Sequence, residues 1–430
     1  MHLGSRTKLY IGCTLVGPVD SPAVYRRCKF PVLVVLVLGI TAACAGPVAE
    51  KAIFVQREST TTDAVENAQQ TSLSSTTLAP TLDERSDGTI VATTIDAPTH
   101  TATTTTLHRR PWTLLAGGDV LLDLTEPEGI DPFTNVRPSL SSADVAIVNL
   151  EMAITERGEP YDKEFVFRAP RTAALTLAAA GVDVVSLANN HVLDFGPEGL
   201  EDTISVLDEV GILRPGAGSN NAEAYAPRVL TLDNEIRVAF VSASAVIPGG
   251  FAAGAERPGV ADAKWAIPRV LAAVRAAAAG NDVVVVSVHW GAERETCPSE
   301  EQRDLARQLI EAGANVILGH HPHVLQPIET FDRTVIAYSL GNFAWHPRYG
   351  ITGDTGVLEI FFNGSTVEGY LFHPHILDHL GGATPISSGD RHDRIVDIVE
   401  GRCEEHDPTP PTTEATNDED LDATTSTTQG

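Results

Sequence analysis

Residues 182–191 read VDVVSLANNH, an apolar and β-branched run that stops in two asparagines and a histidine. Such a run is typical of a strand buried on both faces, and sites in α/β folds gather where strands end. The same pattern recurs in WTLLAGGDV (112–120), DVAIVNLE (144–151), DVVVVSVHWGAE (282–293) and NVILGHHPH (315–323). Five strand ends that carry Asp, Glu, Asn and His indicate a metal or acid/base site.

Helical patterns separate these predicted strands. The stretch PRTAALTLAAAG (170–181) begins with proline and ends with glycine, as helix boundaries prefer. Later apolar runs at 334–340, 355–362 and 365–377 have no helix between them, which favours antiparallel pairing. We therefore predict an α/β domain over residues 112–400, in which two mixed sheets pack together with helices outside.

The first 44 residues resemble an export segment. A basic stretch at 26–29 precedes an apolar run at 31–43, which is short for a bilayer core of about 30 Å and suits a signal peptide. Small residues before Cys44 resemble a bacterial lipobox, in which the cysteine is lipidated. A simple signal peptide and an uncleaved anchor are the alternatives. We expect an extracytoplasmic protein that an N-terminal lipid or signal anchor holds at the cell membrane.

Two polar segments flank the predicted domain. Residues 45–111 are rich in threonine and are predicted to form a disordered linker, and residues 401–430 to form an acidic disordered tail. The chain has 30 Lys+Arg against 57 Asp+Glu, a formal charge of −27. This balance argues against nucleic acid as a partner, because binding to phosphates needs clustered cations.

Five cysteines in 430 residues exclude a disulfide scaffold. Cys297 and Cys403 could pair in an oxidising compartment, but nothing in their spacing requires it. Pairing and two free thiols both stay open.

Eight motifs across roughly 112–375 resemble, in the same order, those of the CapA family of capsule and poly-γ-glutamate biosynthesis proteins. They are GGDVLL (117–122), NLEMAIT (149–155), FRAP (167–170), SLANNHVLDFG (186–196), GAGSNNAEAYAP (216–227), HWGAE (289–293), GHHPHVLQPIE (319–329) and YSLGNF (338–343). That family is similar in fold to the calcineurin-like metallophosphoesterases, so the resemblance implies a four-layer α/β/β/α sandwich with metal ions at the strand ends. It also implies an anionic polymer such as poly-γ-glutamate, and polymer synthase or export proteins, as partners.

The metallophosphoesterase pattern implies a role for individual residues. His191 corresponds to the histidine that faces the leaving group. Because alternate residues of an extended segment share a side, His321 and His323 would face one pocket and His320 would point away. The implied metal ligands are Asp119, Glu151, Asn190, His289, His321 and His323.

Two positions depart from the pattern. Leu121 stands where the phosphoesterases carry a histidine, and Glu151 stands where they carry a bridging aspartate. The missing imidazole leaves open a mononuclear site, or one in which Asn149 or His320 substitutes. The remaining nitrogen and oxygen donors suit one or two ions of Mn, Zn or Fe better than Mg²⁺ or Ca²⁺.

Several neighbouring residues have two interpretations each. Arg168 is a candidate substrate-binding residue, because guanidinium binds carboxylate and phosphate in a bidentate manner, or else a structural arginine. Glu293 could orient His289 or be a solvated acid, and Asn342 could reach the site or serve a turn. A local basic patch could form from Lys163, Arg168, Arg171 and Arg294.

Three functions stay open. The first is a cell-surface component of the polymer pathway with a metal-dependent hydrolase-type site. The others are a metal-dependent phosphoesterase for an unrelated extracytoplasmic substrate, and a non-catalytic polymer-binding scaffold. The retained ligand set argues against the scaffold, whereas Leu121 argues for it. A polyanionic substrate would need the metal or the basic patch to offset the negative charge of the chain.

Overall fold

The structure is a computed structural model that describes residues 111–123 and 131–403, together with the backbone of 25–26 and 53–54. The predicted lipidation site Cys44, most of the export segment and linker, and the tail beyond residue 403 lie outside the described residues. The boundaries of the four predicted segments therefore stay predictions.

The described elements alternate between strands and helices through the first two thirds of the domain. The strands are β1 Tyr25–Arg26, β2 Ile53–Phe54, β3 Pro111–Val120, β4 Val145–Leu150, β5 Ala153–Ile154, β6 Arg168–Ala169, β7 Val184–Ser186, β8 Ala217–Gly218, β9 Arg228–Thr231, β10 Arg237–Ser244, β11 Gly259–Val260, β12 Val283–His289, β13 Val316–His320, β14 Ile328–Phe331, β15 Thr334–Ala337, β16 Asn342–Ala344, β17 Asp354–Asn363, β18 Thr366–Leu377 and β19 Ala383–Pro385. The helices are α1 Arg137–Ser142, α2 Thr172–Ala180, α3 Gly196–Val210, α4 Asn221–Ala224, α5 Ile267–Gly280, α6 Glu300–Ala312 and α7 Asp390–Val399.

Two large sheets contain most of the strands. The first has the order β1-β9-β10-β12-β13-β15-β14, and β10, β12, β13 and β15 run parallel in it. The second has the order β19-β18-β17-β3-β4-β7, with β3, β4 and β7 parallel. The late strands β17 and β18 pair antiparallel, as predicted, and β19, which was not predicted, pairs antiparallel with β18. The prediction holds in part for β15, which pairs antiparallel with β14 and parallel with β13.

The strands are apolar on both faces because each face is covered. In β4, Ile147 belongs to the layer between the two sheets, whereas Val148 packs with α2 and α3 on the outer face. In β12, Val285 faces the layer between the sheets and Val286 packs with α5 and α6. The order of layers is therefore helices, sheet, sheet, helices, and the predicted α/β/β/α sandwich is confirmed.

The end of the domain is fixed covalently and by charge. Cys297, just before α6, forms a disulfide with Cys403, just after α7, with 5.3 Å between the Cα atoms. The buried carboxylate of Asp354 accepts hydrogen bonds from Arg391 and Arg394 of α7. The last helix is thus attached to the second sheet and to the loop that precedes α6.

No helix within 111–123 and 131–403 combines the length and the apolar character that crossing a bilayer requires.

Candidate metal centre

The parallel strands of both sheets end at one edge of the sandwich. Asp119 of β3 lies beside Asn149 of β4, and His289 of β12 lies beside His320 of β13. The two sheets meet there, since His289 Nε2 is 2.7 Å from Asn190 Oδ1. Polar side chains at the strand ends of both sheets therefore form one cluster, as the sequence predicted.

Two buried carboxylates form the floor of this cluster. The amide nitrogen of Asn149 donates to Asp119 Oδ1 at 2.9 Å and to Glu151 Oε2 at 3.2 Å. Burial raises the pKa of Glu151 well above its usual value, and the charge of Asp119 adds to the effect. Burial also opposes ionisation of Asp119, but the imidazoles of His320 and His323 hold its pKa well below the ordinary value. Two carboxylates buried this close together therefore favour the binding of at least one positive charge.

His289 is completely enclosed at this floor. Its Nε2 lies 3.6 Å from Glu151 Oε1, and its Nδ1 is buried without a hydrogen-bond partner. Burial lowers the pKa of His289 well below its usual value, and the neighbouring His321 strengthens the shift. The ring is therefore neutral, which is the form that binds metals.

His321 and His323 reach the carboxylates by a different route from the predicted one. Their φ angles are +96° and +55°, so the segment is not extended and strand alternation does not apply. His323 Nδ1 lies 3.2 Å from Asp119 Oδ2, and its Nε2 lies 3.7 Å from Glu151 Oε1. Two left-handed residues, rather than a pleat, place both rings on one side.

These two imidazoles have opposite protonation preferences. Burial lowers the pKa of His321 to about 4, with the charge of His323 adding to the effect. Burial also disfavours charge on His323, but Glu151 and Asp119 raise its pKa to about 9. A cation at the carboxylates would replace the proton on His323, because both compete for the same negative charges.

The prediction that His320 points away is wrong. Its Nδ1 lies 3.2 Å from Asp119 Oδ1, although the two atoms lack hydrogen-bond geometry, and the ring is 1% exposed. The reason is that His320 is the last residue of β13 and stands in register with His289 of β12, so both side chains lie on the face that the two sheets share. One of the two substitutes considered for the missing ligand is therefore in place.

The donor set fits a divalent cation. Ligand atoms of Asp119, Glu151 and His289 lie within 4.8 Å of one another, and so do those of Glu151, His321 and His323. Glu151 belongs to both groups, which is the place of a bridging ligand. A buried polar atom without a partner costs about 1–3 kcal/mol. Several such atoms belong to the residues of this cluster: Glu151 Oε1, His289 Nδ1, His321 Nδ1 and both ring nitrogens of His320.

His191 is held beside the cluster by an acid that the sequence reading missed. Its Nδ1 lies 2.8 Å from Asp194 Oδ2, and Phe167 packs against its ring at 4.5 Å between centroids. Asp194 also accepts the backbone N–H of Phe167 at 2.7 Å. Burial lowers the pKa of His191, against the opposing effect of Asp194. The signal was available, since Asp194 follows three residues later in the same motif.

An aromatic wall closes one side of the site. The ring of Trp345 lies 4.8 Å from that of His323 and 6.0 Å from that of Phe167. Asn342 accepts from His323 Nδ1 at 3.0 Å and donates to its carbonyl oxygen at 3.2 Å. Asn342 therefore reaches the site, which is one of its two predicted roles.

The remaining candidates lie further out. The guanidinium of Arg168 stacks over Phe195 at 4.6 Å, and no described side-chain contact joins it to the carboxylate–histidine cluster. Glu293 is exposed, although its charge acts on Glu151 and His323. Leu121 is 1% exposed and belongs to the apolar layer under α2 and α3. Arg171 pairs with Glu209, so the predicted basic patch loses that member to an ion pair.

Fold and site together define a two-sheet α/β/β/α protein with a carboxylate–histidine centre at the strand ends. The family model described as bacterial capsule synthesis protein PGA_cap matches residues 113–346. The chain belongs to this family, as the motifs predicted.

Known relatives are similar over part of their length. The PGA biosynthesis protein CapA of Bacillus subtilis is 34% identical over 252 residues, which are 56% of this chain and 65% of that protein. A probable polyglutamine synthesis accessory protein of Mycobacterium tuberculosis is 35% identical over 215 residues, 47% of this chain and 56% of that protein. The match thus spans less than two thirds of each. A 5'-nucleotidase of Candida albicans is a distant structural likeness, with a TM-score of 0.36 and 10% identity over 66% of this chain and 56% of that one.

Proposed function

We propose that this chain carries a metal-dependent hydrolase-type site that serves the biosynthesis, export or anchoring of an anionic capsule polymer such as poly-γ-glutamate. The observation that carries the proposal is that ligand atoms of Asp119, His289, His321 and His323, which come from both sheets, lie within 4.8 Å of a ligand atom of Glu151. Family membership supports the pathway, because the relatives are named for capsule and PGA synthesis. The polymer synthase and export proteins are the expected partners.

The proposed chemistry divides between the cluster and His191. A divalent cation, with Mn, Zn or Fe favoured by the donor set, supplies Lewis-acid chemistry that promotes the ionisation of water at neutral pH. Asp119, Glu151, Asn190, His289, His321 and His323 would hold one or two such ions. His191 would give a proton to the leaving group through Nε2, because Asp194 engages Nδ1. Phe167 and Trp345 would exclude bulk water from that step.

We also propose that the domain works outside the cytoplasm, attached to the membrane through an N-terminal lipid on Cys44 or through a signal anchor. The apolar run at 31–43 supports export. The disulfide between Cys297 and Cys403 adds support, because such bonds persist in oxidising compartments. Radiolabelled palmitate incorporated by the wild type but not by Cys44→Ser would support the lipid, and equal labelling would reject it.

The activity is tested with purified full chain loaded with Mn²⁺ or Zn²⁺. We expect poly-γ-glutamate to shorten over time, and His191→Ala to slow this by about 10²–10⁴-fold while its metal content stays that of the wild type. The matched control is His379→Ala, because His379 is exposed. Cleavage that survives His191→Ala unchanged would reject His191 as the acid.

The same preparation separates the alternatives. Hydrolysis of p-nitrophenyl phosphate or of a bis-ester, with the polymer left intact, would favour a phosphoesterase that acts on another extracytoplasmic substrate. Polymer binding without any cleavage would favour the scaffold, for which Leu121 is the supporting feature.

A further inference from the structure

A loop without regular structure lies against the turn that carries Asn190 and His191. Residues 155–167, here the bridging loop, connect β5 to β6. Within it, the backbone N–H of Tyr161 donates to Asp194 O at 2.7 Å, and its hydroxyl donates to Gly249 O at 2.8 Å. The Tyr161 ring also meets Phe251 edge-on at 4.9 Å. The loop therefore joins the segment before α3 to the segment that follows β10, so it spans chain that leaves both sheets.

Lys163 extends from this loop into the protein. Its side chain is 18% exposed, and its Nζ lies 2.6 Å from the carbonyl oxygen of Asn190 and 2.6 Å from Asp194 Oδ1. The same Nζ is 3.1 Å from His191 Nδ1, and it lies 5.6 Å from the centre of the Phe251 ring. One ammonium group thus contacts both residues of the Asn-His pair and the acid that supports it.

We propose that Lys163 is a positioning residue, which holds the turn of Asn190 and His191 so that the amide of the first and the Nε2 of the second face the cleft. The proposal rests on the function proposed above for those two side chains. Groups that orient a ligand from behind affect a metal site nearly as much as the ligands do. A turn lacks the regular backbone hydrogen bonds that fix a strand or a helix. A hydrogen bond from Lys163 to the Asn190 carbonyl oxygen can therefore hold this turn in place.

Two observations distinguish this role from direct contact with the polymer. Lys163 Nζ donates to the carbonyl oxygen of Asn190 and forms an ion pair with Asp194 Oδ1, so its charge is already offset within the protein. It also approaches His191 from the Nδ1 side, which is the side of Asp194 and not of the leaving group. Lys163 therefore acts through its neighbours.

The test compares Lys163→Met, which keeps the aliphatic stem and removes the charge, with Lys163→Arg, which keeps the charge. Lys264→Met is the matched control, because Lys264 lies over the exposed Trp265 and away from the cluster. Calorimetric titration of the metal-free full chain with Mn²⁺ gives the affinity. We expect Lys163→Met to bind about 10-fold to 100-fold more weakly at unchanged stoichiometry, with partial recovery in Lys163→Arg and no change in the control.

A second readout does not depend on metal. In protein labelled with ¹⁵N-histidine, the ring signals of His191 are assigned by their loss in His191→Gln. They should form one sharp set in the wild type and broadened or multiple sets in Lys163→Met, because the turn that carries the ring is then no longer held in one position. Wild-type signals and wild-type affinity in a folded Lys163→Met would overturn the proposal. A wild type that binds no Mn²⁺ would contradict the proposed function. The histidine signals would still test the role of Lys163 in that case. If Lys163→Met does not fold, Lys163→Arg decides. Altered ring signals and weaker metal binding in that variant support the proposal, and wild-type signals and affinity overturn it.

Discussion

Leu121 is the residue at which this site departs furthest from the metallophosphoesterase pattern. It is fully buried in the apolar layer under α2 and α3, and its backbone N–H donates to Ala344 O at 2.8 Å. The position is therefore built for packing. His320, which faces Asp119, is the nearby imidazole that could compensate.

Leu121→His should not restore a metal ligand. An imidazole in this layer loses the packing of the leucine and buries a polar group without a partner, so we expect the free energy of unfolding to fall by about 2–5 kcal/mol. Urea unfolding measures the loss, and Leu175→His, at an exposed position of α2, is the control. A variant that stays as stable as the wild type and binds an additional metal ion would show that the position still faces the site.

Single residues also show what the sequence could predict of the site. Asp119, Glu151, Asn190 and His289 could be found because polar residues at the ends of buried strands are visible in the letters alone. The route by which His321 and His323 reach the site could not, because it depends on positive φ angles at these two histidines, which residue type does not reveal. Asp194 was missed because it follows the strand end rather than ending it.

Among the elements, the short helix α4 begins with a concentrated charge cluster. Glu223 accepts from the backbone and hydroxyl of Ser219, both at 2.9 Å, and pairs with Arg214 and Arg228. Burial would raise the pKa of Glu223, but the hydrogen bonds from Ser219 and the charge of Arg214 lower it to about 2. The ionised form is thus favoured in the folded state.

This shift predicts acid sensitivity at α4. Because the folded-state pKa lies below the ordinary value of 4.5, the stabilisation is complete above about pH 4.5 and is lost as the pH falls towards 2. Glu223→Gln should therefore lower the melting temperature at pH 7 and have a smaller effect by pH 3. Glu256→Gln, at an exposed position, should change neither. An equal deficit at both pH values would contradict the assignment.

The disulfide that joins the loop before α6 to the end of α7 is expected to stabilise the fold. The disulfide joins positions 106 residues apart, so its removal frees a long loop in the unfolded chain. We expect the double variant Cys297→Ser/Cys403→Ser to lose about 2–5 kcal/mol in urea unfolding. Reductant should bring the wild type to the same stability and leave the double variant unchanged. A wild type that does not respond to reductant would mean that the bond contributes nothing.

Over the whole molecule, the sandwich could be predicted because runs such as 282–290 are apolar on both faces and therefore need covering on both sides. The position of β15 could not, because a short edge strand such as β14 before it leaves no helical pattern to mark a crossover. The disulfide was equally hidden, since it depends on where α7 returns against the loop before α6. Both features depend on contacts between residues that are far apart in the sequence, and local patterns do not reveal such contacts.

The proposed function depends on one cation held between the two sheets. Crystals of the full chain grown with Mn²⁺ and measured at the manganese absorption edge would locate it. We expect an anomalous peak among Asp119, Glu151, His289, His321 and His323, and its loss in Glu151→Gln crystals. Well-ordered crystals with no peak among these residues, whether manganese binds elsewhere or nowhere, would contradict the account.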